Sequence, residues 1–272
     1  MPSERVGGID ITYVDSGSGS PLLMLHGFTG SRLAWQGIEE DLARRFRVIA
    51  INLIGHGETS APDDPGRYTI RRAVEDILQL LDRLEISRAA VLGYSMGGRV
   101  AMNLALTAPE RLSSLVLESA SPGILDPEER RRRAESDERL AMMIEEQRVT
   151  AFIDYWEALP LFASQARLDP DVRRRQRELR LAQSPIGLAN SLRGMGAGAM
   201  EPVTDRLIEF GVPVLYLAGE DDEKYREIGA SMVSRMPNGR FHVVPGAGHT
   251  IHLEQPERYV NLVSQFLASD GN

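Results

Sequence analysis

A serine becomes a working base or nucleophile only when a histidine can take its proton, and the histidine needs a carboxylate to fix its tautomer. Gly93-Tyr94-Ser95-Met96-Gly97 carries the G-x-S-x-G pattern. Alone the pattern is weak, because so short a match also arises by chance. Its surroundings make it specific. The apolar run Ala89–Leu92 reads as a strand leading into it, and a helix from about Met96 to Thr107 leaves it. In that setting the glycines permit a tight, strained turn that lifts Ser95 clear of the sheet edge. Gly98 extends the small surface on which the helix packs.

Five histidines compete for the proton-accepting role. His26 and His56 sit in HG and GHG loops after strands, His242 lies inside a strand, and His252 follows His249 by three. His249, in Gly246-Ala247-Gly248-His249, occupies a loop after the last strand, which brings it to the same sheet edge as Ser95. A His-x-x-His metal site lacks both a helix and a third ligand, and no metal is expected. For the acid, Glu220, Asp221 and Asp222 all follow the apolar strand Val212–Leu217, and spacing does not choose between them. The chain order Ser…acid…His is one of the known triad orders. The backbone N–H groups of Phe28, after the early strand Leu22–Leu25, and of Met96 would form an oxyanion hole.

The elements that must hold these residues alternate. Ile9–Val14 reads as an edge strand, and Leu22–Leu25 and Val48–Ile51 as strands buried on both faces. Trp35, Ile38, Leu42 and Phe46 recur at helical spacing, and Thr69–Leu84 is an amphipathic helix. Leu115–Leu117 is a further strand. After the strand Val212–Leu217 come a helix at Glu223–Met236, a strand at Phe241–Val244 and a helix at Pro256–Leu267. This predicts an α/β fold, a mostly parallel central sheet with helices on both faces. Residues 127–200 show only helical stretches such as Glu128–Gln147 and Val172–Ala182. The division expected is a core over 1–121, a helical cap insertion over 122–200, and the rest of the core over 201–272. The arginine run Arg130–Arg133 reads mainly as a solvated helix face.

Composition sets the outer bounds. The chain has 272 residues, 42% hydrophobic and 26% charged, enough for a sizeable core. It has no cysteine, so disulfides, thiolate metal sites and cysteine nucleophiles are excluded. No apolar run is long enough to cross a membrane, and the N-terminus lacks an export signal, so a cytoplasmic enzyme is expected. The net charge of −8 argues against nucleic-acid binding. Only Lys224 is lysine; the other basic residues are arginine, whose donor fork suits carboxylates. A monomer or small homo-oligomer is expected.

HGFTG, GHGETS, GYSMGG and GAGH fall in the order found in α/β-hydrolase-fold proteins, which the whole chain resembles. Within that superfamily the sequence most resembles the 2-succinyl-6-hydroxy-2,4-cyclohexadiene-1-carboxylate synthases of menaquinone biosynthesis. The similarity runs from Leu22 to Leu267. It includes Tyr94–Ala101, Ser121-Pro122-Gly123, Leu161-Phe162-Ala163-Ser164, Gly187–Gly196 and Gly219–Tyr225. The family's triad acid aligns with Asp222. One departure is Asn52-Leu53-Ile54, where the family usually has Asp-Leu-Pro.

The resemblance implies a lyase that eliminates pyruvate from an enolpyruvyl cyclohexene carrying a succinyl chain, with Ser95, His249 and Asp222 used as a base. It also implies that Arg99, Arg133 and Arg180 bind the three substrate carboxylates, that Tyr94 and Trp156 are aromatic site residues, and that no cofactor is needed. Two other readings stay open at this level. One is a serine carboxylesterase or carbon–carbon bond hydrolase using Ser95 as nucleophile, and the other is a non-catalytic small-molecule receptor on the same scaffold.

Overall fold

The computed structural model describes residues 2–269. Eight strands form one sheet: β1 (Ser3–Val6), β2 (Ile9–Ser16), β3 (Pro21–Leu25), β4 (Arg47–Ile51), β5 (Ala89–Tyr94), β6 (Leu112–Glu118), β7 (Val214–Gly219) and β8 (Gly239–Val244). Their order is β1-β2-β4-β3-β5-β6-β7-β8. From β4 to β8 all neighbours are parallel, while β1 and β2 pair antiparallel. The apolar runs of β3, β5 and β7 are buried nearly throughout, as strands covered on both faces must be. The parallel strands deliver their C-terminal ends to one edge, where ligands bind in open α/β sheets.

Two strand expectations are corrected. The Ile9–Val14 segment is not the edge, because β1 pairs outside it with Val6 opposite Ile9. Gly7 and Gly8, at φ 53° and 85°, make the two-residue turn that only such residues adopt without strain. The strand read as Val212–Leu217 begins two residues later, after Pro213, which has no N–H to give, and runs on to Gly219.

Helices cover both faces. On one face α2 (Ile70–Arg83), α3 (Met96–Thr107) and α7 (Glu223–Val233) pack their apolar sides on the sheet. On the other lie α1 (Ile38–Leu42), the short α8 (Ile251–Glu254) and α9 (Pro256–Ser269), with Trp35 and Tyr259 fully buried among them. Between β6 and β7 the chain forms helices and turns: α4 (Pro127–Glu157), a 3-10 segment Pro160–Arg167, α5 (Pro170–Leu181), α6 (Pro185–Met195) and a 3-10 turn Thr204–Glu209. The first helix is longer than its charged sequence suggested. Asp126 caps it by accepting from the Glu129 N–H, and Pro127 sits at its first position. Val149, Phe152, Ile153 and Trp156 then carry the apolar stripe beyond 147, and they pack with Ile144, Leu188 and Leu192 in a third core. Among the described residues no helix is long and apolar enough to cross a membrane.

Candidate active site

Ser95 stands between β5 and α3 with φ 49° and ψ −105°, a conformation costing a non-glycine residue about 1–3 kcal/mol. The flanking glycines are dictated by close approach. A Cβ on Gly97 would lie 2.2 Å from the Leu25 carbonyl oxygen, and one on Gly93 would lie 2.6 Å from that of Gly97. The turn is tied to the sheet by the Ser95 N–H, which donates to the Glu118 carbonyl at 2.9 Å.

The loops after β7 and β8 bring the partners. His249 Nε2 lies 3.2 Å from Ser95 Oγ, and His249 Nδ1 lies 2.7 Å from Asp222 Oδ2. Because a carboxylate only accepts, Nδ1 carries the hydrogen, and Nε2 is left to accept the serine proton. Both His249 and Asp222 are buried. Asp222 also caps α7 by accepting from the Tyr225 N–H. Its neighbour Asp221 is half exposed and pairs with Arg167 instead. Of the three acids left open by spacing, Asp222 is the one in contact with His249.

Ser95 opens into a cavity of about 420 Å³. Phe28, Tyr94, Met96, Arg99, Arg133 and Trp156 all line it, together with Asp222 and His249. Arg99 is buried, and its Nη2 donates to the Met195 carbonyl at 2.8 Å while its Nε finds no partner. Burial pulls its pKa down. Arg133 is held by Asp137, Nε to Oδ1 at 2.8 Å. Arg180 is the exception among the expected site residues. It does not line this cavity; its Nη1 donates to Glu157 at 2.9 Å and its guanidinium stacks over the Phe162 ring at 5.3 Å. Phe162 in turn lines the cavity, so Arg180 lies behind it.

Among the cavity residues that escaped the reading of the sequence, three stand out by their place beside His249 or their charge. Tyr225 places its ring 4.6 Å from that of His249, and Phe162 lies 6.0 Å from it on another side. Lys224, the chain's single lysine, also lines the wall. A signal for Tyr225 existed: it follows Asp222 by three on a helix, one turn along the same face.

Three of the other histidines, His26, His56 and His252, hold the frame. His26 Nδ1 donates to the Gly27 carbonyl at 2.8 Å and Nε2 accepts from the Leu53 N–H at 3.0 Å, which fixes the loop that presents Phe28. Burial, and then the neighbouring His56, push its pKa down to about 3, and burial brings His56 to about 4. Both rings are therefore neutral near pH 7. His252 is paired with the buried Glu118 carboxylate, with Nδ1 2.8 Å from Oε2, and no cluster of metal-ligating side chains occurs among the described residues.

Comparison with known proteins places this geometry in context. The alpha/beta hydrolase fold family matches residues 20–256. A Bacillus subtilis (strain 168) protein assigned as a 2-succinyl-6-hydroxy-2,4-cyclohexadiene-1-carboxylate synthase is 44% identical over 96% of each chain. The Escherichia coli O157:H7 synthase of that name is 32% identical over 90% of this chain and 93% of its own. Among solved structures, MenH from S. aureus superposes with a TM-score of 0.92 at 33% identity, over 96% of this chain and 99% of that one. A thermophilic esterase from Thermogutta terrifontis, with malate bound, gives 0.88 at 30% identity over 99% and 97%. The chain belongs to the alpha/beta hydrolase fold family.

Proposed function

We propose that the chain is a 2-succinyl-6-hydroxy-2,4-cyclohexadiene-1-carboxylate synthase, a lyase of menaquinone biosynthesis. Its substrate would be 2-succinyl-5-enolpyruvyl-6-hydroxy-3-cyclohexene-1-carboxylate, and pyruvate the second product. Its relatives of that name cover nearly the whole chain. The observation that carries the reading within the site is Arg99, a buried cation beside Ser95 with no carboxylate partner among the described residues. An uncompensated buried charge costs several kcal/mol, a cost that an anionic ligand removes. Arg133 and Lys224 add positive charge to the same wall. A neutral ester has no use for such a lining, which disfavours the esterase reading despite the esterase neighbour.

In this reading Ser95 acts as a base. Its Oγ takes the proton from the ring carbon next to the succinyl ketone while its own proton passes to His249 Nε2, and Asp222 stabilises the imidazolium through Nδ1. The electron pair left on carbon is held as an enolate, with the Phe28 and Met96 amides as its donors. Its return through the ring double bond forms the second alkene and breaks the bond to the enolpyruvyl oxygen. The departing enolate picks up a proton and becomes pyruvate. No step draws on a metal or organic cofactor. The cap, comprising α4 to α6, would close the cavity from above and supply Arg133 and Trp156.

Incubation with the enolpyruvyl substrate, with pyruvate followed through a coupled dehydrogenase, tests the reading. Stoichiometric pyruvate is the expected result. Substrate recovered unchanged would leave the receptor reading, and ester hydrolysis without pyruvate formation the esterase one.

A further inference from the structure

Thr250 joins three parts of the molecule through one hydroxyl. It follows His249 in sequence, and its Oγ1 lies 2.9 Å from the hydroxyl of Tyr94, the residue before Ser95. The same Oγ1 accepts from Gln165 Nε2 at 3.0 Å, and Gln165 belongs to the 3-10 segment Pro160–Arg167 of the insertion. Gln165 Oε1 in turn accepts from Arg180 Nη2 at 3.3 Å, and Arg180 is anchored on Glu157. Thr250 is 5% exposed and Gln165 8%, so water does not compete freely for these bonds. A buried hydrogen-bond chain thus runs from α4 and α5 to the residues flanking both Ser95 and His249.

The histidine loop is held at other points as well: the Asp221 N–H donates to the Ala247 carbonyl at 2.9 Å, and His252 pairs with Glu118, whose carbonyl accepts from the Ser95 N–H. Glu254 accepts from the amides on either side of His249, Gly248 at 2.9 Å and Thr250 at 3.3 Å. Ser164 packs closely on Gly248, where an added Cβ would collide with the serine oxygen. Glu254 thus holds the backbone on both sides of His249. Besides the His249–Ser95 contact itself and the His252–Glu118 pair, the Thr250–Tyr94 bond links that loop to the nucleophile turn, and the insertion secures it through Gln165.

We propose that Thr250 and Gln165 are positioning residues for proton transfer between Ser95 and His249, through which the helical insertion sets the distance between the two. Transfer needs heavy atoms within about 2.6–3.2 Å. The observed 3.2 Å lies at the far end of that range, so a small rotation of the loop breaks the pair. Neither residue lines the substrate cavity. Their loss therefore affects the chemical step and not binding. The proposal rests on Ser95 and His249 as the working pair, but not on which substrate they serve.

The variants Thr250→Val, Thr250→Ser and Gln165→Met test it. For each, kcat and KM are measured by pyruvate release, the rate of Ser95 phosphonylation by a small neutral organophosphonate by mass spectrometry, and the fold by thermal melting. Val and Met should lower kcat and phosphonylation in parallel, by about 10- to 100-fold as expected for misplaced reacting groups. KM should stay within about twofold, and Ser should restore the rate because it keeps the hydroxyl. Should Thr250→Val fail to fold, Gln165→Met, outside the sheet, decides alone. Wild-type kcat and phosphonylation in a folded Gln165→Met protein, or a change in KM only, overturns the proposal. If wild-type enzyme releases no pyruvate yet phosphonylation responds as described, the lyase reading falls and the positioning role stands.

Discussion

Asp221 and Asp222, adjacent in sequence, take different partners: Asp222 lies 2.7 Å from His249 Nδ1, while Asp221, half exposed at the edge of the same cavity, pairs with Arg167. The first sets the histidine's tautomer; the second touches neither Ser95 nor His249. Asp222→Asn should lower kcat by something on the order of 10³–10⁴-fold, because an amide favours the wrong tautomer. Asp221→Asn should stay within about threefold, since exposed ion pairs contribute little. Steady-state kinetics of the two variants decide this, and the reverse ranking would remove Asp222 from the triad.

A base and a nucleophile leave different traces on Ser95. If the serine only moves a proton, quenched enzyme should show unmodified Ser95 by intact-mass spectrometry throughout turnover, with pyruvate released. Ser95→Ala should cost at least several hundredfold in kcat while leaving the melting temperature nearly unchanged, as the side chain lies at a turn and relief of its strained backbone is not at stake. An adduct of substrate-derived mass on Ser95 would assign it a covalent role.

How much of this was legible in the sequence depends on how local each signal is. The turn at Ser95 is written in five consecutive residues and their flanking apolar runs, so its place at the strand end follows directly. The buried strands β3, β4 and β5 carry continuous apolar runs with the same property, whereas β6, with Ser113 and Ser114 near its start, shows only Leu115–Leu117 of its length. β1 is four residues long with Ser3, Glu4 and Arg5 among them, and its strand character comes from pairing with β2. Asp222 was separable from Asp221 by resemblance to the synthases but not by spacing, since both follow one strand. The direction of Arg180 was not legible at all. It is set by Glu157, 23 residues earlier on another helix, and by Gln165. Side-chain direction across a helical layer is a property of packing, which no periodicity encodes.

The buried pair His26 and His56, with ring centroids 5.0 Å apart, makes stability depend on pH. In the unfolded chain each takes up a proton near pH 6.5. In the folded protein they hold out to about 3 and 4. Below pH 6.5 the unfolded state therefore binds more protons, and stability falls as pH drops toward 4. The slope is up to about 1.4 kcal/mol per pH unit for each histidine. Urea unfolding at pH 7, 6 and 5 should show this loss, and His56→Gln should lessen its slope. An unchanged slope in the variant would mean that His56 does not resist protonation.

The lyase and esterase readings part most sharply at the cationic wall. Arg99 is buried and has no carboxylate partner among the described residues, so it gains most from a substrate carboxylate and leaves that group without a partner when removed. Arg133 shares its charge with Asp137 but keeps 40% of its side chain exposed and faces the same cavity. Arg99→Ala and Arg133→Ala should each lower kcat/KM for the enolpyruvyl substrate by about 2–4 kcal/mol, a factor of roughly 30 to 1,000, as for loss of a charge-assisted pair. Hydrolysis of a small neutral ester, where measurable, should change by less than about threefold, because such a substrate brings no charge to be met. Arg131 supplies the control within the same arginine run. It is 60% exposed and already paired with Glu128 and Glu135 along its own helix, so Arg131→Ala should leave both activities intact. If Arg99→Ala and Arg133→Ala kept wild-type kcat/KM on the tricarboxylate, the anion-binding wall would have no catalytic purpose, and a neutral acyl substrate would become the better account of the cavity.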